Sequence, residues 1–303
     1  MKPSLRIWQS PSRQTCLRHA SIQSRHQSSS SSAAPSPKWL SELPARIGKC
    51  LTFGTTEAQT RDATEVLRAV ASDWRELMAG SEGFLTGSDR RGLYRQSVVW
   101  GDMDSMAIFE SLISDFSSTT GHVNNVVYNK WAESGRALWA RRYATHLDRP
   151  NATAWKDVFT PRGQGLILRS IHTDFKFVRF PRNFSLKQYL TFNQPMTFPD
   201  RVTVYHKLGT QPTTETDSFK LDVLILSERQ RRPAARCVED IVMYDYRRGA
   251  KATLPPYMLD AFRETWRLQE EARQVNGDRI RDLLDKVRRL EQQTWDRPDA
   301  VES

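Results

Sequence analysis

The order of the predicted secondary-structure segments limits the folds that this chain can adopt. A single long helical segment follows a short β-type segment, and four more β-type segments come after it in succession. Turn-forming Pro, Gly, Asn and Asp residues separate the four. This order predicts an α+β domain in which an antiparallel sheet wraps the long helix. The β-type segments are 95–101, 166–180, 201–208, 218–227 and 235–246.

The long helix is predicted over residues 124–145. Asn124 or Asn125 can serve as its N-cap, and Val127, Trp131 and Gly135 fall close to one face. The start of a helix presents free backbone N–H groups and a partial positive charge. Donors of this kind can stabilise the negative charge that develops on an acyl carbonyl under attack, an effect of about 3–4 kcal/mol per donor.

Two short motifs flank the start of this helix. The first is Trp-Gly-Asp-Met-Asp at 100–104, and the second is Gly-His-Val-Asn-Asn at 121–125. Tyr128, Glu133 and Arg136 follow on the helix. Together these residues resemble the split signature of the hot-dog-fold acyl-CoA thioesterases, the 4-hydroxybenzoyl-CoA thioesterase-like family. The resemblance covers about residues 94–259 and is to a mitochondrial, fungal-type member.

The resemblance implies a fold, an assembly and an activity. It implies a hot-dog fold and a homodimer or homotetramer with the acyl pocket at the subunit interface. The implied activity is the hydrolysis of an acyl-CoA or acyl-carrier-protein thioester by water. No cofactor and no metal ion are expected. Acyl-chain specificity does not follow from the resemblance.

The resemblance also assigns roles to individual residues. Asp104 matches the catalytic carboxylate, which can attack the carbonyl or deprotonate a water molecule. Glu133 is the reserve candidate for that carboxylate. The residues that match substrate-binding positions are His122, Asn124, Asn125 and Tyr128.

Each of these residues also has a structural interpretation that involves no chemistry. An Asp at the end of a strand is commonly a turn former, and an Asn pair is commonly a plain helix cap. Glu133 and Arg136 are three residues apart and could form a surface pair on the helix, worth about 0.2–0.5 kcal/mol. The order of the motifs, rather than any single residue, favours the catalytic interpretation.

The two motifs are separated by an interruption. Residues 107–120 stand where the related family has almost nothing, and deleting them restores a continuous Gly-Asp-Met-Asp-Ser-Met-Gly-His-Val-Asn-Asn. If they loop out, Asp104 and Gly121 can still be neighbours, because closing a flexible loop of this length costs only about 1–3 kcal/mol. The alternative is an intron retained in error in the gene model, and a transcript sequence across this region separates the two.

The first 37 residues have a different composition from the rest. They contain no Asp or Glu, and their five basic residues account for half of the formal net charge of +10. A Ser-rich, Arg-bearing, acid-free segment is typical of a mitochondrial transit peptide, so we expect a matrix protein. The alternative is a disordered basic tail. The basic residues are Lys2, Arg6, Arg13, Arg18 and Arg25.

Cysteine usage and hydropathy exclude several classes of protein. Cys16, Cys50 and Cys237 form no CxxC motif, so neither a disulfide framework nor a structural zinc site is indicated. No stretch approaches the roughly 18 apolar residues that a membrane span requires. We therefore expect no membrane-spanning helix.

Helical extensions are predicted on both sides of the hot-dog domain, which we place at 93–260. The N-terminal extension, 38–92, contains an amphipathic helix over 56–79 that should pack across the main domain. The C-terminal extension, 261–303, should contain two helices broken at Asn276-Gly277. The second carries an apolar stripe that could dock on the body of the protein or form a dimer.

Two other functions compete with thioester hydrolysis. One is a non-catalytic hot-dog protein that binds acyl groups or belongs to a mitochondrial assembly. The other is direct RNA binding through the arginines of 229–236 and 247–248. RNA binding is disfavoured, because the chain has no recognised RNA module and short Arg runs in loops are usually solvated. We therefore do not expect nucleic acid as a partner.

Overall fold

The computed structural model describes residues 38–103, 122–176, 196–298 and 300. The helices in these ranges are α1 Trp39–Thr52, α2 Glu57–Ser72, α3 Asn125–Arg142, α4 Ala152–Asp157 and α5 Pro256–Gln293. The strands are β1 Gln96–Ser97, β2 Gln164–Phe175, β3 Arg201–Leu208, β4 Ser218–Ser227, β5 Arg232–Asp245 and β6 Ala250–Lys251. Short π-helical turns lie at Glu76–Gly80 and Tyr143–Leu147, and 3-10 turns at Trp100–Asp102 and Arg149–Asn151.

The strands form one antiparallel sheet in the order β1-β3-β4-β5-β2, with β6 paired to the end of β5. The long central pairings leave β2 at an edge, where β5 is its only partner among the described strands. A register shift between Leu168 and Ser170 bends β2 relative to β5. The sheet predicted from the alternating segments is confirmed.

Helix α3 packs against one face of this sheet. Val127, Tyr128, Trp131 and Ala132 lie in a buried cluster with inward-facing residues of β3, β4 and β5. Gly135 allows the close approach, because a Cβ at this position would stand 2.8 Å from Cε1 of His206. A sheet curled around one long helix is the arrangement that the hot-dog resemblance implies, and it is present.

The opposite face of the sheet is covered by α1, α2 and the second half of α5. Tyr205, Leu224 and Leu226 point to this side and lie in one buried cluster with apolar residues of the three helices. Successive strand residues point to opposite faces, so β3 and β4 contribute to both cores. The amphipathic helix predicted over 56–79 does pack across the main domain. The C-terminal apolar stripe packs against the protein's own body, which was one of the two predicted alternatives. The stripe consists of Ile280, Leu283, Val287 and Leu290.

The predicted helix break at Asn276-Gly277 is wrong, because α5 runs without interruption for 38 residues. Asn276 is buried, and its side-chain amide donates to the Ala272 carbonyl at 2.9 Å. It also packs against Gly80, where an added Cβ would lie 2.4 Å from the Asn276 amide nitrogen. Tertiary packing on both sides outweighs the modest helix penalty of Asn and Gly, about 1 kcal/mol or less per residue.

The first strand is shorter than the predicted 95–101, and two further helices had no prediction. Arg95 has a φ of 51°, so the extended run begins only after it. The chain then pairs over Gln96–Ser97 and turns at Trp100–Asp102. Helices α1 and α4 were not predicted from the sequence. Among the described helices, none has the length and apolar character needed to cross a membrane.

Candidate active site

The two motifs around the interruption meet in space. Met103 and Val123 form an antiparallel bridge, and the N–H of Asn124 donates to the Asp102 carbonyl at 2.8 Å. Val123 N–H also donates to the Met196 carbonyl at 2.9 Å. Met103 and Val123, which stand on the two sides of the interruption, are therefore neighbours in the structure. Asp104, the predicted catalytic carboxylate, lies in 104–121, outside the described residues.

The start of α3 is capped from the side chain of Asn124. Its Oδ1 accepts a hydrogen bond from the Val126 N–H at 2.9 Å, and its carbonyl accepts from Val127 N–H at 2.9 Å. Of the two predicted N-caps, Asn124 and Asn125, the structure selects Asn124. Asn125 is exposed, and its backbone N–H has no acceptor among the described residues. That N–H is one donor at the helix start that a ligand could use.

An exposed apolar surface borders the helix start. Trp100 is 58% exposed and stacks at a tilt on Phe198, with ring centroids 5.0 Å apart, while Val126 on α3 is 59% exposed. Asp102 holds the turn next to it, since its Oδ2 accepts from the Val99 N–H at 2.9 Å. The turn-forming role that the sequence allows for a carboxylate at the strand end is thus filled by Asp102.

The other two predicted substrate-binding residues differ in exposure. His122 is half-buried and stands directly before the bridge residue Val123. Tyr128 is fully buried, with its ring 5.3 Å from those of Trp131 and Phe175. Burial raises the pKa of the Tyr128 hydroxyl. The ring of Tyr128 belongs to the core, and the substrate-binding role of these residues stays a prediction.

The reserve carboxylate, Glu133, lies on an exposed part of α3 and has no ion-pair partner among the described residues. It is eight residues beyond Asn125, which places it about 12 Å along the helix axis from the first N–H. Within one chain, Glu133 is therefore too far from the helix start for both to act on one carbonyl. Its catalytic role also stays a prediction.

Arg136 forms an ion pair that was not predicted from the sequence. Its Nη1 donates to Oε1 of Glu239 at 2.5 Å, and the Glu239 side chain is fully buried. Arg136 therefore pairs with Glu239, and the surface pair of Glu133 with Arg136 that the spacing allowed is wrong. Glu239 could have been noticed in the sequence, because it interrupts the inward-facing apolar positions Cys237 and Ile241 of β5.

The buried Glu239 carboxylate is only partly satisfied. Its Oε2 has no hydrogen-bond partner within the described ranges. Burial raises its pKa, the nearby Arg136 guanidinium opposes that rise, and the negative charge of Glu133 adds to it. The Arg136 guanidinium therefore favours the ionised form of a carboxylate that burial disfavours.

A second buried titratable residue lies near Arg136. His206 on β3 is 2% exposed, and neither ring nitrogen makes a hydrogen bond of normal geometry with a described residue. Burial lowers its pKa to about 3, the charge of Arg136 adds to the effect, and the Ala132 backbone opposes it. His206 is therefore neutral at physiological pH and cannot serve as a cationic group there.

A cleft of about 140 Å³ lies beside the C-terminal half of α3. Glu133 and Arg136 stand at its polar end, and the other lining side chains are apolar. No group of three His, Cys, Asp or Glu side chains suited to a metal ion occurs in the part of the chain that is described. The apolar lining consists of Ala137, Trp139, Ala140, Phe159, Leu166, Leu168, Phe219, Leu221 and Ile241.

The sequence of this chain matches the model of one known protein family. The model of the thioesterase-like superfamily matches residues 98–262, more than half of the 303-residue chain. The chain belongs to the thioesterase-like superfamily. The matched region spans both motifs, α3 and every strand from β2 to β6. The hot-dog fold expected from the sequence is confirmed, and membership in this superfamily supports thioester hydrolysis as the general activity.

Several solved thioesterases are similar to this thioesterase-like chain. One from Thermus thermophilus, complexed with coenzyme A and Zn, is 17% identical over 60% of this chain and 97% of its own, with a TM-score of 0.37. The 1,4-dihydroxy-2-naphthoyl-CoA thioesterase from Synechocystis is 17% identical over 57% and 95%, with a TM-score of 0.37. The DHNA-CoA thioesterase from Staphylococcus aureus is 12% identical over 60% and 94%, with a TM-score of 0.39. Among curated proteins, none matches the chain.

Proposed function

We propose that this protein hydrolyses the thioester bond of an acyl-CoA or an acyl-carrier-protein substrate. The observation that carries the proposal is the bridge between Met103 and Val123. It stands immediately before a capped helix whose Asn125 N–H has no acceptor among the described residues. A carboxylate one residue from this bridge and a donor at the helix start are the two groups that acyl transfer to water requires. Membership in the thioesterase-like superfamily supports the same reaction.

In the proposed mechanism, the carbonyl oxygen of the thioester accepts a hydrogen bond from the Asn125 N–H. Asp104, which is bonded to Met103, takes a proton from a water molecule as that water attacks the carbonyl carbon. The negative charge of the tetrahedral intermediate faces the partial positive charge of the helix start. When the C–S bond breaks, the thiol leaves with a proton and the acyl group leaves as a carboxylate.

The test replaces Asp104 by Asn, which keeps the shape and removes the base. We expect turnover of acyl-CoA substrates to fall at least about 100-fold, with little change in melting temperature. The matched control is Asp102→Asn, at a position two residues before Asp104. Its side chain accepts the Val99 N–H in the turn. Equal turnover by Asp104→Asn would rule out its role, and the same assay on Glu133→Gln would then test the reserve carboxylate. Acyl-CoA binding without any turnover would favour the non-catalytic alternative.

We also propose that the active form is a homodimer or homotetramer joined through β2. This strand pairs with β5 on one side and with no other described strand, and Leu168 on its α3-facing side is 38% exposed. An unpaired strand edge of 12 residues is a template for pairing with a second copy. Light scattering on the purified protein should give at least twice the chain mass, and a monomer at micromolar concentration would contradict the proposal.

The proposed location is the mitochondrial matrix. The support is the acid-free, Arg-bearing and Ser-rich composition of residues 1–37. A fusion of these residues to a fluorescent reporter should enter mitochondria, whereas a version with the five basic residues changed to Gln should not. A reporter that stays in the cytosol would contradict the location without affecting the proposed activity.

A further inference from the structure

We propose that Asp200 is a positioning residue for the candidate active site. It acts through the segment 196–200, which contacts both of the motifs that flank the interruption. This inference rests on the proposed function and adds to it a residue that belongs to neither motif. The role of Asp200 is to hold the start of α3 and the turn before Met103 in place relative to each other, not to contact the substrate.

The segment 196–200 is hydrogen-bonded to residues on both sides of the interruption. The Met196 carbonyl accepts the Val123 N–H at 2.9 Å, just before α3. The Asp200 carbonyl accepts the Val98 N–H at 3.0 Å, just after β1. One short segment therefore connects the entry to α3 with the end of β1.

The contact at the end of β1 extends into the turn that carries the first motif. The Val99 N–H donates to Oδ2 of Asp102 at 2.9 Å, and the Asp102 carbonyl accepts the Asn124 N–H at 2.8 Å. In the same turn, the ring of Trp100 lies on that of Phe198, with centroids 5.0 Å apart. A shift of the segment that contains Phe198 would therefore move the turn relative to the cap of α3.

Strand β1 is too short to fix the first motif by itself. It pairs with β3 over only Gln96 and Ser97. The next described hydrogen bond from this stretch to the segment that leads into β3 is the one from Val98 to the Asp200 carbonyl. The position of Asp200 therefore sets where the first motif turns away from the sheet.

Three hydrogen-bond donors fix the side chain of Asp200, which is 7% exposed. Its Oδ1 accepts the Arg201 N–H at 2.6 Å and the Arg229 N–H at 3.0 Å, and its Oδ2 accepts the Ser227 hydroxyl at 2.6 Å. Moving this carboxylate would leave buried polar groups without partners, which is costly. The side chain thus ties the start of β3 to the turn between β4 and β5.

The first test compares two substitutions of Asp200. Asp200→Ala removes the acceptor of all three donors and should lower kcat for acyl-CoA substrates about 10–100-fold, since a misplacement of about 1 Å can cost about 100-fold. KM should change less than about threefold, because the displaced groups act on the charge that develops in the transition state. Asp200→Asn should recover most of kcat, since its amide oxygen can accept both N–H groups and its NH2 can donate to Ser227 Oγ. An Asn variant as impaired as the Ala variant would overturn the inference.

Asp148→Ala is the matched control for a general loss of stability. The Asp148 carboxylate also accepts side-chain hydrogen bonds, from the Asn151 amide at 2.9 Å and from the Trp155 indole at 2.8 Å. Trp155 belongs to a different buried cluster from that of the start of α3. Asp148→Ala should lower the melting temperature and leave kcat unchanged. An equal fall in kcat for Asp148→Ala and Asp200→Ala would overturn the inference.

Ser227→Ala covers the case in which Asp200→Ala does not fold. It removes only one of the three donors to the Asp200 carboxylate. It should lower kcat less than Asp200→Ala does, again with little change in KM. A native kcat in Ser227→Ala, when Asp200→Ala does not fold, would overturn the inference.

Hydrogen–deuterium exchange separates this inference from the proposed function. In Asp200→Ala, the peptide 122–128 should exchange at least about 10-fold faster than in the native protein, because the acceptors of the Val123 and Asn124 N–H groups are no longer fixed. Asp148→Ala should leave this peptide unchanged. If these results are obtained in a protein that hydrolyses no thioester, the positioning role stands and the hydrolysis proposal fails. Unchanged exchange in Asp200→Ala would overturn the positioning role even in an active enzyme.

Discussion

Met103 pairs with Val123 in an antiparallel bridge, although residues 104–122 separate them in the sequence. The pairing places the end of the first motif against the entry to α3. The Asn124 N–H reinforces it by donating to the Asp102 carbonyl at 2.8 Å. The geometry of the candidate site is therefore set by this contact and by the helix cap.

The bridge predicts that residues 107–120 can be removed. Joining Met106 to Gly121 leaves five residues between Met103 and Val123, within the range of common hairpin connections, about 2–5 residues. The shorter connection should stabilise the fold by about 1 kcal/mol through reduced closure entropy. We also expect higher thioester turnover, because the proposed catalytic carboxylate, Asp104, and the helix start are then held more closely. The measurements are urea unfolding and turnover of both forms; equal stability and activity would show that the longer connection is accommodated without cost.

The helix cap predicts different effects for two adjacent asparagines. Asn124→Ala removes the hydrogen bond to the Val126 N–H and should destabilise the protein by about 0.5–2 kcal/mol. Asn125→Ala is the control, since this exposed side chain has no hydrogen-bond partner in the described structure. The free energy of unfolding of the Asn125→Ala variant should differ from that of the native protein by less than about 0.5 kcal/mol. Equal destabilisation by the two changes, measured by chemical denaturation, would contradict the cap assignment.

The buried ion pair predicts a large, pH-dependent effect of Arg136→Leu. This change leaves the Glu239 carboxylate without its cation and should cost about 3–5 kcal/mol at neutral pH. Burial raises the pKa of Glu239 above its ordinary value of 4.5, so the folded variant keeps a proton that the unfolded chain releases. Stability of the variant should therefore fall as the pH rises above about 4.5.

A double substitution distinguishes an uncompensated charge from a packing defect. Arg136→Leu with Glu239→Leu removes both charges, and most of the stability lost in the single variant should return. Denaturant midpoints at pH 5 and pH 8 provide the comparison. A double variant as unstable as the single one would show that Arg136 contributes mainly through packing.

His206 predicts an acid sensitivity of the native protein. The unfolded chain binds a proton on this residue near pH 6.5, whereas burial lowers the folded pKa to about 3. Stability is therefore lost as the pH falls through this window, by roughly 2–3 kcal/mol at pH 4.5. His206→Leu should flatten the decline in melting temperature between pH 7 and pH 4.5. The control, His172→Gln, changes an exposed position of β2 and should leave the decline intact. A native-like decline in His206→Leu would show that His206 does not cause the acid sensitivity.

Local patterns in the sequence predicted the elements whose ends are marked by short-range chemistry. Strands β3 and β4 match the predicted 201–208 and 218–227, because alternating apolar residues and flanking turn formers act within the segment itself. Helix α2 begins after Thr56, which forms a capping box with Gln59. The cap of α3 was predicted at Asn124 or Asn125, and it is Asn124.

The sequence by itself determined the order of elements, the inward-facing apolar positions and the motif residues around α3, because these depend on neighbours a few residues apart. Only the tertiary structure decided that Met103 meets Val123, that α5 continues through Asn276-Gly277, and that Arg136 pairs with Glu239 rather than Glu133. Each of these depends on which distant surfaces are buried together. A buried charge is costly unless it is paired. A helix break is unfavourable where the residues on both sides of it are held by packing. Neither energy is visible in a local sequence pattern.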